Sequence, residues 1–212
     1  MSGVTETPGP RPDGRDTAGS EYAERLRTRG DARWKRLLDV QRPYRWNLRR
    51  LELGRVLDIG CGVGRNLHGL APGSVGVDHN EVAVAMARDA GLSAYTTEEF
   101  DGSDLDRPGA FDAILLAHVL EHVSAEVADE ILDRYLPCVR DGGRVVLITP
   151  QEVGYRSDPT HVRFVDLETM RSHVVRLGLT VERAYSFPFP RPVGKVFTYN
   201  EFVLVASKPA SA

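Results

Sequence analysis

The feature that most narrows the fold is a set of three glycines between an apolar strand and a more polar stretch, RVLDIGCGVGRNL from Arg55 to Leu67, with Gly60, Gly62 and Gly64 at alternate positions. Glycines at a strand end let the backbone turn sharply and approach a ligand closely, and a helix beginning near Arg65 would aim its free N–H groups at that ligand. A second apolar run, Ser74 to Val77, ends at Asp78, 18 residues after Gly60. A carboxylate there can accept both hydroxyls of a ribose. A dinucleotide site of the form G-x-G-x-x-G would need glycine at position 65, where this chain has Arg65. That substitution, and the lack of a second mononucleotide-binding half, disfavours a nicotinamide oxidoreductase.

Strand-like and helix-like segments alternate downstream. Asn80 caps a helix closed by Gly91, with Val82 and Met86 one helical step apart; Leu92 to Tyr95 and Phe111 to Leu116 read as strands three and four. Ser124 caps a helix whose inner face carries Val127, Ile131 and Tyr135, and Arg144 to Thr149 is strand five. Asp166 caps a further helix bearing Leu167, Met170, Val174 and Leu177, with Gly178 at its end. Strands joined through helices imply a parallel sheet with right-handed crossovers. Val181 to Phe187 and Glu201 to Ser207 are linked by a proline-rich loop instead, so they should pair antiparallel. The expected fold is α/β: a seven-stranded, mostly parallel, doubly wound sheet with an antiparallel last strand and helices on both faces.

At 212 residues the chain suits one sizeable core. Residues 1–20 hold three prolines, four glycines and no aromatic residue, which marks them as a disordered tail. Residues 21–51 read as an N-terminal helical lid, helical from Glu21 to about Val40, ended by Pro43, with a turn or two added from Arg45 to Leu51. Residues 52–212 form the ligand-binding domain. A net charge of -3 supplies no global field for nucleic acid. Two cysteines without metal-ligand spacing, no apolar run of membrane length and no secretion-signal pattern fit a cytoplasmic protein. The sequence does not set an oligomeric state.

The pattern D-x-G-x-G-x-G followed by VGVDHN (Val75 to Asn80) resembles the nucleoside-binding region of class I S-adenosylmethionine-dependent methyltransferases, which have a Rossmann-like fold. The resemblance extends through FDAILLAHVLEHV, DGGRVVLITP and the closing antiparallel pair, roughly residues 50–208. It implies an enzyme that binds S-adenosylmethionine and releases S-adenosylhomocysteine. Asp58, Gly60 and Gly62 would border the methionine end, Gly64 would allow close packing, and Asp78 would hold the ribose. Cys61, Asn66, His79, Asn80, Ala117 and His118 complete the expected cofactor contacts. Many members have an acidic residue just after strand three for the adenine amino group; in TTEEF that role falls to Glu98 or Glu99.

Methyl transfer is an in-line displacement in which the sulfonium loses its charge, so no metal is demanded and none is expected. It needs alignment, exclusion of water and, for a hydroxyl acceptor, removal of a proton. Acceptor chemistry should lie on loops at the carboxyl edge of the sheet. His161, in DPTHVRF, is the preferred general base, with His118, Glu121 and Tyr199 as further catalytic candidates. A structural histidine is the competing reading for His161. His122, Tyr155, Arg163, Phe189, Arg191, Lys195 and Tyr199 are the acceptor-binding candidates, the aromatics to stack on a ring or sugar face and the cations to meet an anionic group. The favoured acceptor is a small-molecule hydroxyl, on a sugar, another polyol or a natural product. RNA or protein methylation is the first rival, since residues 21–55 carry 11 basic and 5 acidic side chains, but a nucleic-acid partner is disfavoured by the general lack of interleaved stacking aromatics. The second is a non-catalytic cofactor-binding protein.

Overall fold

The computed structural model describes residues 41–210. The expected tail and the helix from Glu21 to about Val40 lie outside the described residues. Helix α1 (Arg42–Arg49) has Pro43 in its first turn. Proline suits the start of this helix, since its missing N–H lies among donors that have no intrahelical partner there anyway.

Seven strands follow: β1 (Val56–Ile59), β2 (Val75–Asp78), β3 (Ala94–Thr96), β4 (Phe111–Ala117), β5 (Val139–Pro150), β6 (Thr180–Phe187) and β7 (Glu201–Ser207). They form one sheet in the order β3-β2-β1-β4-β5-β7-β6. The first five run parallel, and β7 is antiparallel to both neighbours, in register from Arg144↔Ser207 to Pro150↔Glu201. The strand order reverses between β1 and β4, so their carboxyl ends open the crevice in which such sheets bind ligands.

Alternation along the central strands builds two cores. Ile114 and Leu116 of β4, with Leu57, Val145 and Leu147, face one side. There they meet α3 (Thr97–Asp101), α4 (Ala125–Tyr135) and α6 (Leu167–Arg176) through Phe100, Leu132 and Met170. Ala113, Leu115 and Ala117 face the other side, where Leu48, Leu51 and Leu53 cover them. A third cluster seats α2 (Glu81–Asp89) against the glycine turn through Val84, Ala87, Cys61 and Leu67.

The cap residues act as anticipated: Asn80, Ser124 and Asp166 accept from the backbone N–H groups of Ala83, Val127 and Thr169. Three local expectations are corrected. No α-helix follows the glycine turn; residues 62–66 form turns and Leu67–Gly69 one 3-10 turn. Gly69 and Pro72 leave too short a stretch for a stable helix. In α2 the buried residues are Ala83, Val84 and Ala87, whereas Val82 is exposed, because the packing face is one residue removed from the Val82 and Met86 stripe. Strand β5 starts at Val139, five residues before the expected Arg144, and its pairing to β4 shifts register between Phe111 and Ala113. That irregularity accommodates Gly142 and Gly143.

Candidate active site

The glycine turn is held in place by β2 and by the loop after β4. The Gly60 and Cys61 amides both donate to the Val77 carbonyl, at 2.8 and 3.1 Å. Gly60, Gly62 and Gly64 all have positive φ, at 69°, 52° and 82°. A Cβ on Gly60 would stand 2.5 Å from Val119 Cγ2, and one on Gly64 would stand 2.3 Å from Leu92 Cδ1. The turn therefore lies directly against Val119, the residue that follows His118.

Two carboxylates border this turn, Asp58 in the strand before it and Asp78 on the Gly62 amide. Asp78, buried at the end of β2, accepts from the Gly62 amide through Oδ2 (2.7 Å) and from the Asn80 amide through Oδ1 (2.8 Å). A carboxylate has about four acceptor positions, so it can still take ribose hydroxyls. His79, half exposed, lies 3.6 Å from Asp78 Oδ1. Asp58 in β1 is fully buried, and neither of its oxygens has a hydrogen-bond partner. Burial pushes its pKa up to about 8, the nearby Asn66 side chain opposing the rise and the Asp78 charge adding to it. A buried carboxyl left without partners is costly in isolation. It fits a cationic ligand, and S-adenosylmethionine carries its ammonium and sulfonium at the end expected here.

Beyond β3 the two glutamates differ. Glu99 closes a capping box with Thr96 and pairs with Arg88, so its carboxylate is engaged locally. Glu98 is exposed in the first turn of α3.

A polar cluster occupies the carboxyl ends of β4 and β5. Strand β4 ends at the buried Ala117, and His118 then adopts φ 60°, a left-handed conformation costing a non-glycine residue about 1–2 kcal/mol. The bend sets His118 between two acids: Nδ1 lies 3.1 Å from Glu121 Oε1 and Nε2 lies 2.9 Å from Glu201 Oε1. Desolvation works against its charge, but the two carboxylates prevail and raise its pKa to about 10. His118 therefore holds its proton at neutral pH. Glu121 is fully buried, yet His118 keeps its pKa below the usual carboxyl range against the opposing desolvation. The other oxygen of Glu121, Oε2, has no hydrogen-bond partner.

His122 and His161 meet edge to face with ring centroids 4.7 Å apart. His122 Nδ1 lies 3.3 Å from the Thr160 carbonyl, and burial pushes its pKa down. His161 Nδ1 lies 2.6 Å from the Tyr155 carbonyl, and its ring stacks on Tyr155 at 5.5 Å. An Nδ1–H donated to that carbonyl leaves the lone pair on Nε2. Tyr155 belongs to a short helix, α5 (Glu152–Arg156), which the sequence did not reveal.

The other acceptor candidates are spread out. Arg163 donates through Nε to the Leu120 and Val123 carbonyls and contacts His173 Nε2, so it clamps the His161 segment to the loop after β4. Arg191 pairs with Glu152 and lies 4.8 Å over the Phe202 ring. Lys195 is exposed. Phe189 and Tyr199 each make an edge contact with Phe197, and both remain about half exposed. The Tyr44 hydroxyl of α1 donates to the Tyr199 carbonyl at 2.6 Å, tying that helix to this loop. Glu201 was missed in the sequence because it acts on His118 across 83 positions, with only strand order to signal it.

Residues 22–184 match a family described as a methyltransferase domain. The chain thus belongs to the class I S-adenosylmethionine-dependent methyltransferases and carries their catalytic domain. Among solved structures, an S-adenosylmethionine-dependent methyltransferase from Archaeoglobus fulgidus is 21% identical with a TM-score of 0.61, covering 81% of this chain and 99% of its own. Magnesium protoporphyrin IX methyltransferase from Synechocystis PCC 6803, with bound S-adenosylhomocysteine, is 20% identical with a TM-score of 0.62, covering 92% and 97%. These likenesses show the fold. An uncharacterized protein of Rickettsia prowazekii is 37% identical over an alignment of 93 residues, with 39% of this chain and 37% of the relative's length covered.

Proposed function

We propose that this protein transfers the methyl group of S-adenosylmethionine to a hydroxyl of a small-molecule acceptor, with the methionine end of the cofactor beside Asp58 and the ribose on Asp78. The observation that carries this reading is the adjacency of two built sites. The turn suited to the cofactor touches Val119, and the cluster of His118, Glu121, His122 and His161 begins one residue earlier.

Each residue has a definable task. Asp58 meets the cationic end of the cofactor, and the positive φ angles of the glycine turn let the backbone pass close beside it. The acceptor oxygen attacks the methyl carbon, the C–S bond breaks with its electron pair returning to sulfur, and the hydroxyl proton must leave. His118 keeps its own proton and so serves to orient Glu121 rather than to accept. Glu121, His122 and His161 are the neighbouring groups through which the proton can be drawn away. The exposed aromatics Phe189 and Tyr199 offer a stacking surface on the loop between β6 and β7.

Incubating the protein with methyl-labelled S-adenosylmethionine and a fractionated extract of its own cell tests this reading. A labelled low-molecular-mass product whose label sits on oxygen is expected; label confined to RNA or protein would contradict it. No helix among the described residues is long and apolar enough to cross a membrane.

A further inference from the structure

Glu121, His122 and His161 each offer a ligand atom, and these atoms lie within 4.8 Å of one another. Three further observations bear on what brings them together. Glu121 Oε2 is fully buried without a partner, while Oε1 is engaged by His118. Both histidines have Nδ1 against a backbone carbonyl, Thr160 for His122 and Tyr155 for His161. That second contact is how proteins fix the tautomer and orientation of a histidine that binds metal through Nε2. The segment carrying His161 is also pinned to the loop carrying Glu121, since the Val162 amide donates to the Glu121 carbonyl at 2.8 Å and Arg163 clamps the same loop.

We propose that Glu121, His122 and His161 form a binding site for one divalent first-row transition-metal ion, contrary to the expectation from sequence that no metal takes part. Two imidazoles and one carboxylate suit zinc, cobalt, iron(II) or manganese, and such a set leaves coordination positions for an exogenous oxygen. Metal–ligand bonds of about 2.0–2.2 Å place donors roughly 3–3.5 Å apart, so side-chain rotations of about 1 Å close the present spacing. A hydrogen-bonded structural cluster would instead have left Glu121 Oε2 paired.

The role of the ion, resting on the methyltransferase reading above, is to hold the acceptor oxygen. A hydroxyl bound to it becomes more acidic and loses its proton to solvent. The oxygen then attacks the methyl carbon, and the C–S electron pair returns to sulfur. The ion keeps its charge throughout. His161 contributes as a ligand in this scheme, and Glu201 and His118 act as positioning residues that orient the Glu121 carboxylate.

The test uses untagged full-length protein stripped with a chelator and dialysed. Titration with cobalt(II) alone should give visible d–d absorption bands saturating at one ion per chain, displaced by zinc. Glu121→Gln and His161→Ala should each weaken binding at least tenfold, whereas His68→Ala, an exposed histidine away from the cluster, should leave it unchanged. Should Glu121→Gln fail to fold by circular dichroism, His161→Ala decides, since His161 sits on a half-buried loop. No cobalt bands in wild type, or undiminished binding in His161→Ala, overturns the site. Calorimetry with S-adenosylhomocysteine on the same samples separates the two readings. Cobalt binding at this cluster without cofactor binding would leave the metal site standing and remove the methyltransferase role.

Discussion

Asp58 gives the most discriminating solution experiment, because its burial makes a prediction with a definite sign. Its folded-state pKa, about 8, lies above the ordinary carboxyl value of about 3.9. The stabilisation associated with the neutral form is therefore fully present below pH ~4 and is lost as the pH rises through about 8. The cofactor reverses the preference, since its positive charges favour ionised Asp58. Apparent affinity should then follow the ionised fraction. Between pH 6 and 7, where an α-amino group of pKa ~7.7–8.0 stays mostly protonated, a pKa of 8 predicts about ninefold tighter binding of S-adenosylmethionine. Calorimetric titration of wild type and Asp58→Asn at several pH values would measure it. The variant keeps the shape but cannot ionise, so its affinity should be lower and flat. Affinity independent of pH in wild type, or an equal dependence in Asp58→Asn, would refute the placement of the cationic end beside Asp58.

Replacing Asp78 with Ala should weaken cofactor binding by about 1.5–3 kcal/mol, the usual worth of hydrogen bonds to a charged group, as read by calorimetry. His161→Ala should lower kcat by about 100-fold to 10,000-fold with cofactor affinity nearly unchanged, and a steady-state assay with the identified acceptor would show it. Gly64→Ala should lower stability by about 1–3 kcal/mol in denaturant unfolding, since the methyl group meets Leu92 Cδ1 at 2.3 Å and the backbone sits at φ 82°.

The parts of this molecule legible in the sequence are those set by local chemistry. Strand β1, the glycine turn and Asp78 were readable because glycines permit positive φ and the apolar runs are short and bounded. Asn80, Ser124 and Asp166 were readable as caps because a short polar side chain before an apolar helical pattern has one main use. What escaped depends on contacts between distant segments. The register shift that extends β5 to Val139 is set by pairing with β4, and α2 turned Val82 outward because Cys61 and Leu67 occupy the space beneath Val84 and Ala87. In the site, His118, Glu121, His122 and His161 were chosen as residues, but their arrangement was not. The two acids on His118 and the carbonyls behind His122 and His161 exist only once β4, β5 and β7 are aligned.

The central claim is that the glycine turn and Asp78 hold S-adenosylmethionine, and its most direct test is a calorimetric comparison of ligands on the full-length protein. S-adenosylmethionine and S-adenosylhomocysteine should each bind one per chain and compete for the same site, weakened by Asp78→Ala, while NAD and NADP give no heat of binding. Binding of a nicotinamide dinucleotide in place of the two would contradict the account.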